Sequence, residues 1–75
     1  MARTYEVETI YYNPQGGVRT KECDLFDSHQ KAVNYMRNKL NNTHGLVRQG
    51  DIKDGLVKLI DERGMVKQVI KVGEL

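Results

Sequence analysis

Residues Asp27 to Asn41 read DSHQKAVNYMRNKLN, and this stretch decides the fold. Ala32, Val33, Met36 and Leu40 recur at the spacing that puts side chains on one side of an α-helix. Lys31, Asn34, Asn38 and Asn42 fall on the opposite side, with Tyr35 at the margin. Asp27 is a good N-cap and Gln30, three residues on, completes a capping box with it; Ser28 is the alternative cap. Gly45 is a plausible stop. The spacing therefore predicts a helix over about 28–41.

On each side of this helix lies a hairpin signal. Residues 3–12, RTYEVETIYY, are rich in aromatic and β-branched side chains, with Glu6 and Glu8 alternating against Tyr5, Val7 and Thr9, which is strand period. Asn13-Pro14-Gln15-Gly16 follows: Asn13 can bond the turn backbone, Pro14 presets φ, and Gly16 accepts the left-handed conformation that closes a bulged hairpin. Counting back from that turn pairs Tyr12 with Val18, Val7 with Cys23 and Tyr5 with Leu25 over a second strand at about 17–25. One face then holds Tyr5, Val7, Tyr11, Cys23 and Leu25, the expected core side. The other holds Glu6, Glu8, Glu22 and Asp24 near one end, and Ile10, Tyr12, Val18 and Thr20 near the turn.

Beyond the helix, Asp61-Glu62-Arg63-Gly64 repeats the first turn's logic between strands expected at 56–61 and 65–72, pairing Ile60 with Val66, Val57 with Val69 and Leu56 with Ile70. Leu56, Ile60, Val66, Ile70 and Val72 share one face, and Val57, Leu59, Met65 and Val69 the other. Residues 43–55 hold Gly45, Gly50 and Gly55 and read as a loop, with a short edge strand at Leu46–Arg48. The whole is a single small α+β domain over 1–75, ββαββ, with two antiparallel hairpins forming a sheet and one helix packed on one face. The order of strands in the sheet stays open.

Seventy-five residues carry 12 basic and 10 acidic side chains, a net charge of +2. The charge is unevenly placed. Residues 1–27 sum to −2, whereas residues 28–48 hold Lys31, Arg37, Lys39 and Arg48 with no acid. Cys23 is the single cysteine, so an internal disulfide framework is excluded. There is no signal-peptide pattern and no apolar run near the ~18 residues of a membrane span, so a cytoplasmic protein is expected.

Three sets of residues are candidates for chemistry. Glu6, Glu8, Glu22 and Asp24 on one sheet face would suit a hard cation, although a solvated face with the side chains splayed apart is the simpler and preferred reading. Cys23, His29 and His44 are the side chains suited to proton or thiol chemistry near neutral pH, but no third orienting group is visible. Lys31, Tyr35, Arg37, Lys39 and Arg48, with several asparagines, suit a nucleic acid: cations for phosphates, amides for base edges, a ring for stacking. No phosphate-loop or dinucleotide motif occurs. With so few reactive groups, and too little chain to enclose a pocket of ~300 Å³, no enzyme and no cofactor is expected.

The second hairpin is apolar on both faces, and one helix covers only one of them. Val57, Leu59, Met65 and Val69 are thus the expected protein interface of a small regulatory or protein-binding module, most simply a homodimer. Proteins of this size and kind are commonly bacterial or phage regulators. Nucleic-acid binding through the basic helix and the following loop is the alternative.

Overall fold

The computed structural model describes residues 4–74; Arg3, the first residue of the expected opening strand, lies outside the described residues. Strands β1 (Tyr5–Tyr12) and β2 (Val18–Phe26) form the first hairpin. Helix α1 (His29–Gln49) crosses to β3 (Asp54–Ile60) and β4 (Val66–Lys71), and a 3-10 turn, Val72–Glu74, closes the chain. The strands make one antiparallel sheet in the order β2-β1-β3-β4, so the two hairpins join through β1 and β3. The helix lies on one face, as the periodicity of its residues predicts.

The first turn forms as its residues dictate. Asn13 and Gly17 bond at 2.7 Å, Gly16 has φ 101°, and Tyr12 pairs with Val18. The register then slips by one residue at a bulge beside Tyr11 and Tyr12, leaving Arg19 unpaired, so that Val7 meets Asp24 and Tyr5 meets Phe26. A one-residue slip exchanges the faces of a strand. Cys23 and Leu25, expected in the core, are exposed on the far side of the sheet, while Glu22, Asp24 and Phe26 turn toward the helix. The second hairpin repeats the pattern. Ile60 pairs with Val66 as expected, but a bulge sets Val57 against Ile70 and Leu56 against Lys71 instead of Val69 and Ile70.

The helix is longer than expected. It runs through Gly45 and ends at Gly50, whose φ of 83° makes the left-handed cap. The expected loop at 43–55 and edge strand at 46–48 are therefore helix as far as Gln49. The cause is the continuing apolar stripe: Leu40, Thr43 and Val47 extend the line of Ala32 and Met36 over the sheet. That burial outweighs the roughly 1 kcal/mol by which an interior glycine disfavours a helix. Ser28, not Asp27, is the N-cap, its Oγ accepting from Lys31 N at 3.4 Å. Gln30 does not close a capping box but donates to Asn34, and Asp27 pairs with Lys31 at 3.1 Å.

Val7, Ala32, Met36, Val57, Leu59 and Val72 form the core between helix and sheet. Val72, expected as strand, sits in the 3-10 turn and is fully buried. Asp54 fixes that turn by accepting from Gly55 N and Gly73 N, each at 2.7 Å. At Gly55 the helix lies so close to the sheet that any Cβ would fall onto Thr43 Cγ2.

Candidate functional site

Four strands with one helix leave the other face of the sheet uncovered. The pairings place its side chains in rows across the strands. Leu25, Glu6, Ile60 and Val66 make the first row; Cys23, Glu8, Lys58 and Val69 the second; Lys21, Ile10, Leu56 and Lys71 the third. Leu25 is 66% exposed, Val66 50% and Val69 50%. Val18, also exposed, extends the apolar character beyond the third row beside Tyr12.

The expected interface of Val57, Leu59, Met65 and Val69 is divided by this arrangement. Val57 and Leu59 belong to the core beneath the helix, at 0% and 3% exposure. Val69 stays on the uncovered face, and Met65 is exposed on the helix side beside Tyr5 and Leu59. The bulge between Leu59 and Ile60 is the reason, because it carries β4 out of the simple alternation. Leu25, Ile60 and Val66 take the places of the two core residues. The bulge at Arg19 that exposes Leu25 lies beyond the pairs that the Gly16 turn fixes, and no turn residue signals it.

The four-carboxylate cluster is dissolved by the same slip. Glu6 and Glu8 stay on the uncovered face beside Cys23, with ligand atoms of all three within 4.8 Å of one another. Glu8 already lies near Lys21 and Lys58, at 3.9 and 3.8 Å. Desolvation, together with Glu6 and Glu8, pushes the Cys23 thiol above its ordinary pKa, which disfavours the thiolate that a soft metal or a nucleophilic role requires. Glu22 and Asp24 face the helix and meet its side chains there.

That meeting forms a polar seam between helix and β2. Lys39 Nζ donates to Glu22 at 2.8 Å and lies 5.6 Å and 5.9 Å from the ring centres of Tyr11 and Tyr35. Burial alone would lower the Lys39 pKa, but hydrogen bonding to Glu22 and Tyr11 more than offsets it, and the ammonium is held well above the ordinary lysine value. Tyr35 OH donates to Asp24 at 2.7 Å; that bond, with desolvation, raises the phenol's pKa. Phe26 packs on the Tyr35 ring. Of the five residues expected to meet a nucleic acid, Tyr35 and Lys39 are thus committed inside the molecule, and Lys31 pairs with Asp27. Arg37 and Arg48 remain exposed on the helix.

The residues that were candidates for thiol or proton chemistry are not brought together. Cys23 lies on the uncovered face, across the sheet from the helix that bears both histidines. His29 is exposed and meets the Tyr5 ring edge-on at 5.6 Å. His44 lies 15 residues along the same helix, about 22 Å away by helical rise. Two open-sided clefts flank the helix, of about 490 Å³ beside Tyr5, His29 and Asp61 and about 480 Å³ beside Tyr11, Arg19 and Glu22. In the first, both Asp61 oxygens are engaged, one by Arg63 N and Met65 N at 2.9 Å and the other by Lys67 at 3.5 Å.

No protein-family model, curated protein or solved structure matches this chain. Among the described residues no helix is long and apolar enough to cross a membrane.

Proposed function

We propose that this chain is a small protein-binding module, of regulatory rather than catalytic use, that self-associates through the uncovered face of its sheet. The observation that carries the reading is the exposure of Leu25, Val66 and Val69 on a face with no covering layer. Apolar patches of this kind on small domains mark interfaces, and a two-fold dimer needs a single self-complementary surface.

The charges of the face favour a second copy as the occupant. Glu6 and Glu8 lie in the first two rows, Glu8 beside Lys58, and Lys21 and Lys71 lie in the third. Two sheets stacked with their strands antiparallel bring the acidic end of each copy over the basic end of the other. Stacked sheets sit about 10 Å apart, within reach of lysine side chains. Asp54 at the basic end is already held by Lys71 at 3.8 Å and by two backbone amides.

Sedimentation over a range of concentrations tests this directly. The native chain is expected to move from monomer toward dimer as concentration rises, and Leu25→Lys and Val66→Lys to remain monomeric with unchanged circular dichroism. A native chain that stays monomeric at the highest soluble concentration would remove the reading, and a dimer insensitive to both substitutions would place the interface elsewhere.

A further inference from the structure

The outward side of α1 faces away from the uncovered sheet, and its chemistry is different. The helix holds no carboxylate along its 21 residues. Gln30, Asn34, Arg37, Asn38, Asn41 and Arg48 are all exposed on it. Asparagine is among the poorer helix formers, because its amide competes for the backbone. Yet of these amides, only those of Gln30 and Asn34 bond each other among the described residues, at 3.1 Å. The side chains do little for the helix that carries them. Arg37 and Arg48 stand 11 residues apart, which is three turns, about 16 Å of rise and nearly the same direction. Neither makes an ion pair with a described residue. The carboxylates nearest in sequence lie at the helix ends, Asp27 bonded to Lys31 and Asp51 beyond the cap.

We propose that this side of α1 binds duplex DNA by lying in the major groove, with Arg37 and Arg48 on phosphates and the amides between them toward base edges. The major groove of B-DNA admits a single helix, and asparagine and glutamine match the adenine edge there. The deep, narrow major groove of duplex RNA does not admit one. The residues differ from the set read from sequence: Tyr35 and Lys39 serve the seam with β2, and the asparagines take their place. Because the sheet's uncovered face lies on the other side of the molecule, the inference does not rest on self-association.

Fluorescence anisotropy with a labelled DNA duplex, the matching RNA duplex and polyglutamate as competitor tests it. The native chain is expected to bind the DNA at low salt, with affinity falling on a log–log slope of about −2 for two phosphate contacts. Arg37→Ala with Arg48→Ala should weaken binding roughly tenfold or more, a loss of about 1.4 kcal/mol or more. Asn38→Ala with Asn41→Ala should reduce discrimination between duplex sequences while leaving the salt slope unchanged. Circular dichroism checks that each variant keeps its helix, and the single arginine variants carry the test should the double one unfold. No binding at low salt, equal affinity for the RNA duplex, displacement by polyglutamate as effective as by unlabelled DNA, or an arginine variant as tight as the native chain would each overturn the proposal.

Discussion

Gly55 shows how much can depend on one missing atom. It sits in β3 opposite Tyr11 and beneath the helix, where a Cβ would overlap Thr43 Cγ2. Gly55→Ala should therefore destabilise the domain by about 1–3 kcal/mol, as overpacking does. Adding Thr43→Ser, which removes the clashing methyl, should recover most of the loss in urea unfolding; failure to recover would mean the two residues are not in contact. Asp61 makes a second residue-level claim. Backbone N–H groups of Met65 and Arg63, and Lys67 nearby, hold its carboxyl below the ordinary value of 3.8. A depressed folded-state pKa means stability that is present above that ordinary value and lost as pH falls through the folded one. Acid unfolding of Asp61→Asn should show a shallower decline below about pH 4 than the native chain. An unchanged acid limb would show that the turn's charge contributes nothing.

At the scale of the element, the helix was legible in its first half and not in its second. Ala32, Val33, Met36 and Leu40 announce it by spacing, and Met36, at 3% exposure, anchors it against the sheet. Met36→Ala should cost on the order of 2–4 kcal/mol in chemical denaturation. The second half was hidden by Gly45, a residue that often ends a helix and here does not, because Leu46 and Val47 continue beyond it the packing face that Thr43 carries up to it. A Cβ at Gly45 would meet nothing within 4 Å. Gly45→Ala should then stabilise the domain by about 0.5–1 kcal/mol, whereas a loop at that position would show no such gain. The strands were legible in existence and in their turns, but not in register. Turn residues fix only the pairs nearest them, and each bulge passes its one-residue shift to every later pair. That is why Tyr12 with Val18 and Ile60 with Val66 stand as read, while Cys23, Leu25 and Ile70 changed faces. The acidic cluster dissolved for the same reason, whereas the candidate interface failed at Val57 and Leu59 because their face of β3, beside Val7 and Thr9, is the one the helix covers.

The whole molecule is a two-layer domain with chemically different outer surfaces. Beneath the helix, polar groups of β2 and α1 satisfy one another in the seam of Lys39, Glu22, Tyr35 and Asp24. The outward helix side is basic and rich in amides. The uncovered sheet face is mostly apolar in its first row around Glu6, pairs Glu8 with Lys58 in the second, and holds Lys21 and Lys71 in the third. A domain of this size buries only ~60% of its unfolded surface, so a second copy stacked on the open face would add stability as well as an assembly. The most direct measurement is a dilution series of amide and methyl NMR spectra of the native chain. If the face is the interface, concentration-dependent shifts appear at Leu25, Ile60, Val66 and Val69 and leave Asn34, Asn38 and Asn41 unmoved. Spectra that do not change with concentration, or shifts that gather on the helix instead, would contradict it.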